Sequence, residues 1–276
     1  MLLQIKKKRG PKREIMQDRK RDHNNDGDDD GNGRPVDMPL GSGVVLHGSL
    51  KVFDDSKSRA VVLFAHGSGS GRYSPRNRYV ASALNKAGIG TLLFDLLTDE
   101  EEIVDEQTRH HRLDIGLLAD RLVRVTDWLL IQSQKEDPPA GLKIGYFGAS
   151  TGAAAALVAA AERPGVVRAV VSRGGRPDLA TTKSLAKVRA PVLLIVGQND
   201  KAVIKLNQEA FDKLRLLGND EKELVIIPGA THLFEEPGKL EQVAQLAASW
   251  FARFLGGSGG IKEENHGAGA KKSAAC

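Results

Sequence analysis

The residues with the clearest chemical capacity are a serine, an aspartate and a histidine at three separate points of the chain. Ser150 stands in Gly148-Ala149-Ser150-Thr151-Gly152, a G-x-S-x-G run that follows the apolar stretch Lys143–Phe147 and precedes the helix-forming AAAALVAAAE. A strand–turn–helix setting of this kind holds a serine hydroxyl at the start of a helix. Unpaired backbone N–H groups and the helix dipole there favour a developing negative charge. A hydroxyl becomes a nucleophile with a base beside it, and the base needs an acid to orient it. Asp200 follows the apolar run Pro191–Val196, and His232 follows Leu224–Ile227. The order Ser150, Asp200, His232 is that of a nucleophile–acid–histidine set for acyl transfer. Asp200 also suits a helix N-cap.

An acyl-transfer site needs donors for the oxyanion of its tetrahedral intermediate. The run Val61–Ala65 ends in His66-Gly67-Ser68-Gly69-Ser70-Gly71, and a glycine-rich turn leaves backbone N–H groups free to face a pocket. The N–H groups of Thr151 and Ser68 are the expected donors, and His66 is expected to brace the loop by hydrogen bonding. Phosphate binding is the rival reading of this loop. Its spacing is G-x-G-x-G-R, not G-x-G-x-x-G, and no G-K-[ST] follows. The adjacent pair His110-His111 lacks the spacing of metal ligands on one helix face, and no metal site is expected. Arg173 and Arg176, just past a strand end, have the chemistry to hold a substrate carboxylate. Pairing with Asp178 or nearby acids explains them equally well.

The elements that must carry these residues alternate strand with helix. Val44–His47 and Ser49–Phe53 read as a leading hairpin. Apolar strand-type runs follow at Val61–Ala65, Thr91–Phe94, Lys143–Phe147, Val166–Val171, Val192–Val196 and Leu224–Ile227. Helical stretches lie at Arg76–Ala87, Leu113–Gln132, Gly152–Glu162, Lys205–Leu217 and Lys239–Phe254. Strands apolar on both sides, joined by helical crossovers, imply a mostly parallel sheet covered on both faces. In such sheets ligands bind beyond the carboxyl ends of the strands, where Ser150, Asp200 and His232 all fall. Only the 19 positions Ser172 to Ala190 are available for a lid, which suits short acyl groups or soluble esters rather than long lipids.

The 276 residues carry a net charge of +5, of which residues 1–35 hold +3 and residues 256–276 hold +1. The folded part between them is nearly neutral, so nucleic acid is not an expected partner. The basic-then-acidic first 35 residues read as a disordered leader, residues 36–255 as the folded domain, and residues 256–276 as a flexible glycine-rich tail. No run is apolar and long enough to cross a bilayer, and the start is a poor secretory signal. The single cysteine, Cys276, excludes an internal disulfide. A cytoplasmic protein without a membrane partner is the expectation.

The segments LFAHGSGSGRYSPRNRYVA, TLLFDLLTDEEE, GYFGASTGAAAAL, SRGGRPDL, LLIVGQND and PGATHLFEEPG resemble the dienelactone-hydrolase-like branch of the α/β-hydrolase superfamily. The similarity runs from about Val44 to Leu255. It implies an α/β-hydrolase fold with a mostly parallel sheet of about eight strands and no cofactor. It further implies nucleophile Ser150, acid Asp200, base His232, and oxyanion donors Ser68 and Thr151. Dienelactone hydrolases carry cysteine at the elbow where this chain has Ser150, which favours a general carboxylester hydrolase acting on a short-chain ester, lactone or thioester. Similar domains also occur joined to a phosphoribosyltransferase domain, for which the 35-residue leader is too short. Two other readings fit the same residues: a binding or scaffold protein that keeps the fold without turnover, and an acyltransferase using the same nucleophile.

Overall fold

The computed structural model of the chain describes residues 33–53, 59–135 and 141–256. The tail expectation and nearly all of the leader expectation fall outside these residues. Eight strands run β1 (Arg34–Gly41), β2 (Val44–Lys51), β3 (Ala60–Ala65), β4 (Gly90–Phe94), β5 (Lys143–Ala149), β6 (Val167–Arg173), β7 (Val192–Gly197) and β8 (Lys222–Ile227). They form one sheet in the order β1-β2-β4-β3-β5-β6-β7-β8. The β1–β2 and β2–β4 pairs are antiparallel and every other pair is parallel, as expected for an α/β-hydrolase sheet.

The helices are α1 (Pro75–Lys86), α2 (Asp99–Thr108), α3 (Ile115–Gln134), α4 (Thr151–Glu162), α5 (Thr182–Leu185), α6 (Lys201–Lys213) and α7 (Lys239–Phe251). They cover both sheet faces because successive strand residues point to opposite sides. Val61, Leu63 and Ala65 pack with Leu118, Leu122 and Leu157 of α3 and α4. Val62 and Phe64 pack on the other side with Val80, Leu84, Val243 and Ala247 of α1 and α7. Among the described residues no helix is long and apolar enough to cross a membrane.

Strand β3 lies between β4 and β5, so the chain leaves β3 to one side and later returns to its other side. The connections diverge at that point and open a crevice at the carboxyl ends of β3 and β5. The loop after Ala65 and the turn after Ala149 therefore become neighbours.

Three elements differ from expectation. The leading hairpin is β1 paired with β2 through the turn Gly41-Ser42-Gly43, all three at positive φ, not a reversal at Gly48. Gly48 lies inside β2, where a Cβ would come to 3.0 Å from the Leu93 carbonyl oxygen, so this glycine serves close packing rather than a turn. Helix α2 was not anticipated from DEEEIVDEQT, whose apolar positions are too few to mark a face. It forms on a capping box, with Thr98 Oγ1 accepting from the Glu101 N–H and Glu101 accepting from the Thr98 N–H. Helix α6 begins at Lys201, four residues before its expected start.

Candidate active site

Ser150 adopts φ 51° and ψ −120°, a left-handed conformation that costs a non-glycine residue about 1–3 kcal/mol. Backbone bonds on all sides hold it there. The Ser150 N–H donates to the Arg173 carbonyl at 3.2 Å, and the Ser150 carbonyl accepts from the N–H groups of Ala153 and Arg176 at 3.1 and 3.0 Å. Close packing leaves no slack, since a Cβ on Gly152 would lie 2.2 Å from the Ala65 carbonyl oxygen. The Ser150 hydroxyl makes no capping bond to α4.

Asp200 and His232 meet, with His232 Nδ1 and Asp200 Oδ2 2.6 Å apart. Their strand ends are brought together at Gly197, where a Cβ would strike the Ala230 carbonyl oxygen at 2.4 Å. The expected N-cap role of the Asp200 side chain is not observed: Asp200 begins α6 but makes no side-chain cap bond, because its carboxylate turns to the imidazole. The Thr231 N–H anchors the histidine loop on Glu236 at 3.0 Å. The imidazole packs over Gly174, 3.4 Å from the position a Cβ would take there. Gly174 directly follows Arg173, the residue whose carbonyl holds the Ser150 N–H. The three side chains thus share one rim, with the Asp200–His232 contact made and no hydrogen bond joining Ser150 to His232 among the described residues.

On the other side of Ser150 the loop after β3 is tied to the head of α4. The Ser68 N–H is not free: it donates to Thr151 Oγ1 at 3.0 Å. The two hydroxyls are also in contact at 3.1 Å. His66 braces the loop as expected. Its Nε2 accepts from the Leu96 N–H at 3.1 Å, which leaves Nδ1 to carry the proton and donate to the Gly67 carbonyl at 3.0 Å. Behind the loop lies a cavity of about 30 Å³ lined by His66, Ser68, Asp95, Glu102, Asp105 and Thr151.

The two candidate substrate arginines separate. Arg176 forms a bidentate pair with Asp178 at 2.8 and 2.7 Å. Arg173 is 6 % exposed and has no carboxylate partner among the described residues. Burial, aided by the nearby Arg76 guanidinium, pushes its pKa down to about 10. Its Nε and that of Arg76 are both buried without a hydrogen-bond partner.

Sequence reasoning missed two groups around the site. Asn207, fully buried on α6, donates to the Gly175 carbonyl at 3.0 Å and ties down the turn after β6. A polar residue within the buried stripe Val203, Asn207, Ala210 was the available signal. Asp105 is 2 % exposed and receives the Arg112 N–H at 2.9 Å and the Arg112 Nε–H. No periodicity marks it. Among the described residues no cluster of side chains fits a metal ion.

The model of the dienelactone hydrolase family matches residues 46–255. The crystal structure of a dienelactone hydrolase from Anabaena variabilis is 57 % identical, covers 80 % of this chain and 97 % of its own, and superposes with a TM-score of 0.73. Est1E from Butyrivibrio proteoclasticus shares the fold at 17 % identity and a TM-score of 0.62, over 80 % of this chain and 99 % of that one. A Mycobacterium tuberculosis protein named "Putative phosphoribosyl transferase Rv0571c" is 58 % identical over 203 residues, which are 74 % of this chain and 43 % of that protein. The chain thus spans less than half the length of that curated relative.

Proposed function

The chain belongs to the dienelactone hydrolase family, and from that premise we propose that it is a serine hydrolase of carboxylic esters working through an acyl-enzyme. Ser150 attacks the carbonyl while His232 takes its proton, and Asp200 holds the imidazole in orientation and stabilises its charged form. The Thr151 N–H at the head of α4 is the first oxyanion donor, and the Ser68 N–H becomes the second by sharing its bond to Thr151 Oγ1. Departure of the alcohol is followed by water, activated by His232, which releases the acid. The observation that carries the reading is the strained Ser150 turn on the same rim as a histidine paired to an aspartate at 2.6 Å.

Substrate size and charge are the finer part of the proposal. The stretch between β6 and β7 holds only the 3-10 turn Pro177–Leu179 and the four-residue α5, a small lid that favours short-chain esters, lactones or thioesters. Arg173 is a buried cation without a counter-ion, a costly arrangement that a substrate carboxylate would relieve. The name of the longer mycobacterial relative describes a different transfer chemistry, and it is not carried over to this site.

A fluorophosphonate probe and a panel of short p-nitrophenyl esters test the reading. Labelling and turnover by the wild type, with labelling abolished and kcat lowered about 10⁴-fold or more in Ser150→Ala, is the expected result. Labelling retained in that variant removes Ser150 as the nucleophile. Arg173→Ala should raise KM for carboxylated esters selectively; an equal rise for neutral esters counts against the carboxylate role.

A further inference from the structure

Helix α2 is oriented against its own hydrophobicity. Ile103 and Val104 are 60 % and 50 % exposed, whereas Asp105 beside them is 2 % exposed. Burying an aliphatic pair would contribute about 1.5–3 kcal/mol per side chain. The helix forgoes this to keep two acids inward. Glu101 meets Arg121 Nη2 of α3 at 2.6 Å. Asp105 meets Arg112, the middle residue of the 3-10 turn His111–Leu113.

The two inward pairs lead to different places. Arg121 ends in the wall of α3. Arg112, fixed by three hydrogen bonds to Asp105 including Nη2 to the Asp105 carbonyl at 3.2 Å, faces the oxyanion loop. Its carbonyl accepts from Ser68 Oγ at 3.4 Å. Its guanidinium lies over Gly69, with Nη1 3.5 Å from where a Cβ would stand. Ser68 in turn is joined to Thr151 through both its N–H and its hydroxyl. With the Ser68 hydroxyl proton on the Arg112 carbonyl, the Thr151 hydroxyl proton points to Ser68 Oγ. The side chains then donate from Thr151 to Ser68 to the Arg112 carbonyl, Arg112 donates to Asp105, and the Ser68 N–H donates back to Thr151 Oγ1. Gly67, next to Ser68, presses on the nucleophile: a Cβ there would sit 3.1 Å from Ser150 Cβ.

We infer that Asp105 and Arg112 are positioning residues for the oxyanion loop, acting through the Ser68–Thr151 clamp to set the loop backbone against Ser150. The inference rests on the serine-hydrolase reading of Ser150. The clamp fixes where Ser68 can share its N–H with an oxyanion. A misplacement of about 1 Å at such a point costs up to a hundredfold in rate.

The test compares the two inward acids of one helix by steady-state ester hydrolysis and thermal unfolding. Asp105→Asn should lower kcat about tenfold or more with KM within twofold. Glu101→Gln, which loosens the same helix without touching Ser68, should leave kcat within twofold at a comparable loss of Tm. Thr151→Val should repeat the Asp105→Asn loss, and the Asp105→Asn/Thr151→Val double variant should be no slower than the worse single. Ser68→Ala, an exposed change that removes only the linking hydroxyl, supplies the same readout if Asp105→Asn fails to fold. Equal kcat for the Asp105 and Glu101 variants, multiplicative losses in the double variant, or wild-type kcat in Ser68→Ala each overturn the inference. Failure of the underlying reading is separate, since it would appear as turnover that survives Ser150→Ala.

Discussion

The turn that carries Ser150 and the segment from Thr98 to Asp114 both touch the oxyanion loop, and they are held by opposite means. The Ser150 turn is a matter of contact distance. Its backbone is bonded on both sides, α4 is buried through Ala153–Ala156, and nothing charged takes part in fixing it. The Thr98–Asp114 segment is held by charge. Its inner face offers Glu101 and Asp105 to two arginines, while Ile103, Val104 and Leu113 face outward. Close packing has no soft mode, so the first region holds Ser150 at one strained angle. Ion pairs respond to solution conditions, so the second region keeps its place only while Asp105 and Arg112 both stay charged.

The largest effect expected from this contrast is steric. Gly152→Ala places a methyl group 2.2 Å from the Ala65 carbonyl and 2.4 Å from that of His66, and neither backbone group can retreat without opening β3. Thermal unfolding should register a loss of about 3 kcal/mol or more, or no folded protein. A variant of near wild-type Tm would break the claim that packing alone sets the turn.

Next in size is the ionic region. Asp105→Ala leaves Arg112 part-buried without its partner, a change worth about 3 kcal/mol. It should appear as lost amide-exchange protection across residues 98–114, with protection in α4 unchanged. Acid should mimic it. Burial pushes the Asp105 carboxyl up, but the hydrogen bonds from Arg112 outweigh it and hold the group below its ordinary value of 3.8. A depressed carboxyl stabilises the fold above the unfolded value and ceases to do so as pH falls through the folded one. The segment should therefore stay docked from neutral pH down to about 4 and open below it. Opening near pH 6 would show that another group governs it.

The same contrast explains what could be read without coordinates. The strands from β3 to β8 and their parallel pairing were legible from apolar runs, and the candidates Ser150, Asp200 and His232 stood out by small residues at the turns that follow. Both signals are local. The Thr98–Asp114 segment was not legible, since its logic is a pairing of Asp105 with Arg112 that only becomes visible once burial is known. The bond at Ser68 was hidden for a related reason. A glycine-rich loop predicts free N–H groups, but the Thr151 hydroxyl that captures one of them lies 83 residues away. Arg173 and Arg176 carried the same signal in sequence, and only the fold could assign Asp178 to one and leave the other unpaired.

A smaller effect of opposite sign is expected at Ser150 itself. Ser150→Gly removes the side chain from a residue at φ 51°, where glycine sits without strain. Stability should rise by about 1 kcal/mol despite the loss of all catalytic function. Ser150→Ala, which keeps the Cβ, should show no such gain. Equal stabilities for the two variants would mean that the turn stores no strain.

The smallest effect sharpens the contrast most, because it asks whether an ion pair matters merely by lying near the active site. Arg176 is bidentate to Asp178, and its backbone N–H supports the Ser150 carbonyl at 3.0 Å. The guanidinium is about two-fifths exposed, so solvent screens the pair and its contribution to stability is about 0–1 kcal/mol. Arg176→Ala keeps the backbone bond and discards the charge. If the turn is held by contact and backbone alone, this variant should unfold within about 0.5 kcal/mol of wild type and retain kcat and KM for neutral esters. Raising the salt concentration should leave wild-type kcat equally indifferent to Arg176. A marked fall in kcat would place a charge inside the support of Ser150, and the division between a packed turn and an ion-held wall would no longer stand.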